Sequence, residues 1–302
     1  HCFFALSQLA HPEAILTFLV IVQFTLSLSI LKTGRLVYYL AAGAVGAAAL
    51  AMGTPARAER KKIPIGVQLY CVRQTIGQDI PGHLKSIKEM GYDGVDFAGY
   101  FGKKAEELRK MLDDAGLKCC GTHTGLGTLK GDALKATIEF NKILGNKYLI
   151  CPGMDGKTVE GWKDLAKLFT EISEKLKPEG MYTGYHAHGG DFKKLGDSTP
   201  WDIFFSAAGP DVVMQMDTGN SMGGGGDPVA YLKKFPGRAL TIHLKEAGGG
   251  IIGEGKVAWK EIFELCETTG KTEWYIVEEE GGGQKGMDTI KRAVDNLKKL
   301  LA

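Results

Sequence analysis

The chain has no excess of charge of either sign, with 37 Lys and Arg against 35 Asp and Glu in 302 residues. Lys32, Arg35 and Arg57 and the single acid Glu13 precede Glu59, which leaves 34 basic and 34 acidic residues beyond them. A protein that grips nucleic acid needs a basic face to displace counterions, and no such surplus exists here. Cysteine is scarce and unpatterned. Cys2, Cys71, Cys119, Cys120, Cys151 and Cys266 contain no Cys-x-x-Cys pair, which excludes a zinc ribbon and argues against a disulfide framework in a domain of this size. Cys71, Cys119, Cys120 and Cys151 read instead as small buried residues near strand ends. Also missing is a glycine-rich phosphate loop after the first apolar run, which leads into Tyr70-Cys71-Val72-Arg73. A dinucleotide-binding sheet is thereby excluded. Gly248-Gly249-Gly250 follows the seventh strand rather than the first and does not read as a phosphate cradle.

Long apolar runs occur only near the N-terminus. Ala14 to Leu31 is uncharged and just long enough to span a bilayer, and Leu36 to Gly53 is a second, Ala/Gly-rich run. Lys32 and Arg35 lie between them, and Ala56-Arg57-Ala58 follows. Basic flank, apolar stretch and Ala-x-Ala ending read as a secretory signal cleaved after Ala58, or as an uncleaved membrane anchor. The expected location is exported, in the periplasm. The chain opens on His1 rather than Met, and its first residues also fit an over-extended or truncated reading frame. Residues 1–58 are therefore set apart from a single expected domain, 59–302.

What the remainder has in abundance is alternation. Short apolar runs are expected as strands at Ile65–Tyr70, Gly94–Phe97, Lys118–Thr122, Tyr148–Cys151, Tyr182–His186, Val212–Asp217, Leu240–Leu244 and Tyr275–Glu278. Helical periodicity is expected at Ile80–Met90, Lys104–Ala115, Asp132–Leu144, Val159–Lys177, Pro200–Ala208, Pro228–Phe235, Trp259–Thr268 and Met287–Leu301. Gly91, Gly116 and Gly145 stand where helices should stop. Eight βα units in strict alternation predict an α/β fold, a single (β/α)8 TIM barrel preceded by an N-terminal signal or hydrophobic segment. Trp162, Trp201 and Trp259 mark helix starts and are expected to pack on the barrel. Gly223–Gly226 and Gly281–Gly283 read as loops that close over a ligand or as plain turns.

In such a barrel, chemistry sits at the C-terminal ends of the strands. Those ends carry Gly121-Thr122-His123-Thr124, Tyr185-His186-Ala187-His188, Asp217-Thr218-Gly219-Asn220, His243-Leu244-Lys245-Glu246 and Val277-Glu278-Glu279-Glu280. Imidazoles and carboxylates together suit a first-row divalent ion, and the absence of thiolate argues against a closed structural zinc site. Asp217, His243 and Glu278 end consecutive strands and can converge, with His186 completing a ring of four candidate ligands. His188 and His123 are candidate bases. Lys245 and Arg73 are candidates for binding substrate oxygens, with Tyr70 beside them.

With Gly66-Val67-Gln68-Leu69-Tyr70, Gly91-Tyr92-Asp93-Gly94-Val95-Asp96, Gly253-Glu254-Gly255, Trp259 and Ile276-Val277-Glu278, these segments resemble the xylose-isomerase-like superfamily. That group is also called the sugar phosphate isomerase/epimerase or AP-endonuclease-2 family. The resemblance covers residues 63–302 and is greatest to an exported branch with Tyr-His-Asn-His on strand five; here that motif reads Tyr185-His186-Ala187-His188. It implies a divalent metal (Mn, Co, Fe, Zn or Mg) held by a Glu on strand five, an Asp, a His and a Glu, of which Asp217, His243 and Glu278 match. The first position is His186, with His188 or Glu280 as alternative fourth ligands. It implies a small-molecule carbohydrate substrate, frequent assembly as a homo-oligomer and a strand-eight carboxylate, Glu278, in proton transfer. The expected activity is that of a sugar isomerase or epimerase working through an enediolate on a keto-sugar. The alternatives are a lyase or dehydratase on a 3-keto-sugar and a non-catalytic sugar-binding barrel. An abasic-site nuclease is disfavoured by the balanced charge and the single ligand ring.

Overall fold

The computed structural model describes residues 62–280 and 286–302, together with Ile21, Val22 and Thr25. The expected signal segment therefore lies almost wholly outside the described residues, as do Gly281–Gly283. The compact unit that carries the fold runs from Lys62 to Ala302. Among the described residues no helix is long and apolar enough to cross a membrane.

Eight strands follow in chain order: β1 Ile65–Gln68, β2 Gly94–Phe97, β3 Lys118–His123, β4 Tyr148–Cys151, β5 Tyr182–His186, β6 Val213–Gln215, β7 Thr241–Leu244 and β8 Trp274–Val277. The connecting helices are α1 Ile80–Glu89, α2 Ala105–Ala115, α3 Gly131–Leu144, α4 Val159–Leu176, α5 Pro200–Ala207, α6 Thr218–Gly224, α7 Pro228–Lys234, α8 Trp259–Thr268 and α9 Met287–Leu301. All pairings between neighbouring strands are parallel, in the order β6-β5-β4-β3-β2-β1-β8-β7. Between β6 and β7 the ladder shrinks to one parallel bridge, Asp217 to His243. The result is a single, nearly closed (β/α)8 barrel.

Local chemistry explains where the elements stop. Gly116 and Gly145 end α2 and α3 in the left-handed region, at φ 69° and 79°, where a Cβ would be strained. β1 ends two residues earlier than the apolar run suggests, because Gln68 Oε1 accepts from Tyr70 N (3.0 Å) and opens a 3₁₀ turn. β6 is also shorter than expected: the Met216 N–H turns back onto Met214 O (2.9 Å), interrupting the extended chain before Asp217. α6 is unexpected. Thr218–Gly224 lacks apolar periodicity, yet Asp217 caps it by accepting from Asn220 N (2.6 Å).

Strand residues alternate between two environments, as the pleat requires. Leu149 and Cys151 join the large core beneath the helices, whereas Tyr148, Ile150 and Val213 form a separate cluster. On β5 the outward Tyr185 packs against Trp162, Trp201 and Phe204, with centroids 5.6–5.8 Å apart, and donates to Asp191 Oδ1 (2.7 Å). This anchors the strand and aims its neighbour His186 at the opposite face. Trp162, Trp201 and Trp259 are all buried, as the sequence suggests.

Arg238 is the one deeply buried arginine among the described residues. Its guanidinium donates to Phe205 O (2.7 Å), Gly209 O (2.8 Å) and Val212 O (3.1 Å), tying the end of α5 to the lead-in of β6. Arg238→Met keeps the stem but strands these carbonyls. It is expected to lower unfolding stability by about 2–3 kcal/mol. A urea melt unchanged to within ~0.5 kcal/mol would contradict that account.

Candidate active site

The strand ends bring six polar side chains together. Asp96 comes from β2, His123 from β3, His186 from β5, Gln215 from β6, His243 from β7, and Glu278 from the residue just past β8. All are buried except His123, which is half-buried. One ligand-type atom from each of His123, His186, His243 and Glu278 lies within 4.8 Å of all the others. The three rings pack closely, at 4.6 Å (His123–His186), 4.5 Å (His186–His243) and 5.3 Å (His123–His243) between centroids.

His243 occupies the centre. Its Nδ1 is 2.6 Å from Glu278 Oε2 and its Nε2 is 2.9 Å from Asp96 Oδ2. Burial disfavours a charged ring, but the hydrogen bonds to Asp96 and Glu278 outweigh it and hold the His243 pKa up at about 9. Burial also works against an ionised Glu278. His186, His243 and Lys245 reverse this and keep its carboxyl well below the usual range. His186 and His123 are lowered, chiefly by burial, so both rings are neutral at pH 7. Asp217 is pushed up to about 7, by burial first and by Glu278 second, against Lys245, His243 and the Asn220 N–H.

Asp217 itself lies outside the four-residue cluster among the described residues. One of its oxygens is committed to the α6 cap, and the other, Oδ2, is buried without a partner. His186 Nε2 and Asp96 Oδ1 are likewise buried and unpartnered. Open acceptors in a dry site are costly unless something fills them. Two of the four sequence-predicted ligands, His186 and Asp217, thus each keep one buried polar atom without a hydrogen-bond partner. The other two, His243 and Glu278, are paired with each other. This mixed nitrogen and oxygen donor set fits a borderline first-row divalent ion. To hold such an ion, His243 would give up the proton it shares with Glu278.

The rim residues are wetter. Lys245 lies 3.6 Å from Glu278 Oε1 and 3.0 Å from Glu280 Oε1. Burial opposes its charge, and Asp217, Glu278 and Glu280 raise its pKa nonetheless. Arg73 pairs with Glu280 Oε2 (2.9 Å) and lies over the Tyr70 ring, 3.8 Å from its centroid. Arg73 and Tyr70 are both exposed and sit at the outer edge of this network, joined to Glu278 only through Glu280 and Lys245. His188 is exposed and meets His186 edge-on at 4.8 Å. The loops are stitched by the Asp217-Thr218-Gly219-Asn220 motif: Thr218 Oγ1 donates to Lys245 O (2.7 Å), and Asn220 Nδ2 donates to Ala187 O (3.1 Å).

Two members of the site escape a reading of strand-end acids and imidazoles. Asp96 is visible in sequence as the acid closing the Gly91–Asp96 motif, without a role assigned to it, and Gln215 only as an amide inside an apolar strand. The available signal for Gln215 is its spacing: it lies two residues before Asp217, so both face the same way if the strand continues.

A parallel eight-stranded barrel with imidazoles and carboxylates gathered at one end of its strands belongs to the (β/α)8 class, whose active sites sit at the C-terminal strand ends. More specifically, the chain belongs to the xylose isomerase-like TIM barrel family, whose pattern it matches over residues 84–300. It is 22% identical over 253 residues to the rhizopine catabolism protein MocC of Rhizobium meliloti, covering 68% of this chain and 76% of that protein. It is 23% identical over 238 residues to the inosose dehydratase of Glaesserella parasuis, covering 63% and 78%. Among solved structures, a sugar phosphate isomerase/epimerase from Parabacteroides distasonis superposes with a TM-score of 0.70 at 27% identity, over 79% of this chain and 98% of that one. A D-allulose 3-epimerase from Methylomonas sp., in complex with D-allulose, gives a TM-score of 0.62 over 79% and 97%. Its identity of 11% makes that likeness one of fold alone.

Proposed function

We propose that this chain is a divalent-metal-dependent sugar isomerase or epimerase that moves a proton next to the carbonyl of a keto-sugar or related carbohydrate, through an enediolate. The observation that carries this reading is the pair of buried polar atoms without a hydrogen-bond partner, His186 Nε2 and Asp217 Oδ2, on two strand-end residues of a barrel whose relatives act on sugars. His186, Asp217, His243 and Glu278 would hold the ion. Bound there, a divalent ion supplies Lewis acidity that polarises a carbonyl and acidifies the adjacent C–H.

The chain's own groups account for the remainder. His188, exposed at the mouth, and His123, neutral and half-buried, are the candidate bases, and Glu278 is the candidate carboxylate in proton transfer. Lys245, held cationic by three acids, stabilises negative charge developing on a substrate oxygen. Open buried groups of both kinds, the Gln68 Nε2 donor and the Asp96 Oδ1 acceptor, suit a polyhydroxylated ligand. Arg73 and Tyr70 would bind substrate oxygens only at the outer rim. Export through the N-terminal segment, and assembly into a homo-oligomer, complete the proposal.

A second reading, elimination of water from a keto-sugar, is favoured by one residue. His186 stands 3.7 Å from Glu278 Oε2 where a second carboxylate would allow a symmetric proton relay, and relatives include inosose dehydratases. Metal analysis of the purified chain, followed by incubation with keto-sugars in D₂O, tests both. About one Mn, Co, Fe or Zn per chain and deuterium at the carbon beside the carbonyl are expected. Release of an enone selects the second reading. A chain that takes up no metal after incubation with these ions is no enzyme of this kind and leaves a sugar-binding barrel.

A further inference from the structure

Gln215, at the last position of β6, has a wholly buried side chain held from both ends. Its Nε2 donates to Thr241 Oγ1 (2.9 Å), while its Oε1 lies 3.1 Å from His186 Nδ1 and 3.2 Å from His123 Nε2. A neutral imidazole carries one N–H, and the partner of one nitrogen decides the state of the other. With the amide oxygen facing both rings, His186 bears its proton on Nδ1 and His123 bears its own on Nε2.

The opposite orientation of the amide can be tested against the surroundings. A turned amide would present its NH₂ to both rings and force the His186 proton onto Nε2. That atom is buried without a hydrogen-bond partner. Glu278 Oε2, at 3.7 Å, attracts an N–H there but stands beyond hydrogen-bond reach, unlike Gln215 Oε1 at 3.1 Å from Nδ1. A buried N–H without an acceptor costs about 1–3 kcal/mol, and an open lone pair is better tolerated. The site geometry therefore favours the oxygen-inward amide.

We infer that Gln215 is a positioning residue that fixes His186 as its Nδ1–H tautomer, so that the Nε2 lone pair, beside Glu278 and His243, is the nitrogen offered to a metal ion. The same amide oxygen keeps a proton on His123 Nε2 and withdraws that nitrogen from ligation. A histidine thereby serves at the end of β5, because the neighbouring strand supplies the acceptor its other nitrogen needs. This role rests on the metal-dependent reading above.

The test uses the full chain labelled with ¹⁵N-histidine and stripped of metal with a chelator. Long-range ¹H–¹⁵N correlation separates protonated from bare ring nitrogens, and the His186 signals are assigned by their loss in His186→Gln. The wild type is expected to show a protonated Nδ1 and a bare Nε2. In Gln215→Met, which lacks the acceptor, His186 is expected to move to the Nε2–H form or a mixture. Zn²⁺ affinity, measured by calorimetry, is expected to fall by about 10–100-fold in that variant. Gln215→Glu keeps an acceptor oxygen and is expected to restore both the tautomer and most of the affinity. A wild-type proton on His186 Nε2 overturns the inference whatever the variants do, and so settles it even if Gln215→Met fails to fold. An unchanged His186 pattern in a folded Gln215→Met overturns it equally. Zn²⁺ failing to bind the wild type overturns the metal-dependent reading and the ligating role with it, while the tautomer is still decided by the spectrum.

Discussion

Glu278→Gln is expected to abolish metal uptake and to lower turnover by about 10²–10⁴-fold. The substitution keeps volume and removes only charge. In the native site the Glu278 carboxylate faces His243 at 2.6 Å, Lys245 at 3.6 Å and His186 at 3.7 Å. An amide cannot balance the charges on His243 and Lys245, and as a ligand it is far weaker than a carboxylate toward a first-row divalent ion. His243 would keep Asp96 as its remaining carboxylate partner, so the ring should stay in place and the fold should survive. Thermal melting of the variant comes first, to establish that it is folded. Metal content and deuterium exchange into a keto-sugar follow. A folded Glu278→Gln that retains bound metal and wild-type turnover would sink the assignment of this carboxylate.

The largest expected loss of stability lies outside the ligand set. Glu246→Ala should cost about 3–5 kcal/mol and expose the segment between β7 and α8 to proteases. Glu246 is 2% exposed, and its two oxygens accept five hydrogen bonds. Oε1 takes the backbone N–H groups of Ala247 (3.0 Å), Lys256 (3.0 Å) and Val257 (3.2 Å). Oε2 takes Gly253 N (3.2 Å) and the Trp259 indole (3.1 Å). One carboxylate thus organises the whole loop that follows the strand carrying His243 and Lys245. Removing it leaves the buried Val257 N–H and Trp259 indole, and three partly buried N–H groups, without their acceptor, and Glu246→Gln fares little better because its NH₂ faces donors. Urea unfolding and timed proteolysis measure the effect. A loss below ~1 kcal/mol, with no new cleavage between Ala247 and Val257, would show that the loop holds itself.

The repeated architecture was legible because it is written in short range. Strands buried on both faces read as apolar runs, and Gly116 and Gly145 mark helix ends by backbone conformation alone. What the sequence hides is decided by side chains reaching across the fold. β1 and β6 stop early because of one amide acceptor and one backbone turn. α6 is held by the Asp217 cap rather than by an apolar face. In the site, residues that follow an apolar run, such as His186, His243 and Glu278, can be read directly. Asp96 and Gln215 cannot, since their role appears only when β2 and β6 are placed beside His243 and His186. Glu246 shows an intermediate case. Its motif with Gly253, Gly255 and Trp259 is visible in sequence, but only the folded loop reveals that the acid holds the others.

The barrel is a hoop with a thin clasp. Around most of its circumference neighbouring strands share a ladder, but from β6 to β7 the pairing is the Asp217–His243 bridge, with the bond from His243 N to Met216 O (2.8 Å) beside it. His186 and Asp217 stand on one bank of this gap, and His243 and Glu278 on the other. Any ligand that touches both banks does the work that ladder bonds do elsewhere, and it stabilises the closed ring increasingly as its concentration rises above its Kd. Filling the site and fastening the hoop would then be one event, at the least-bonded stretch of the wall.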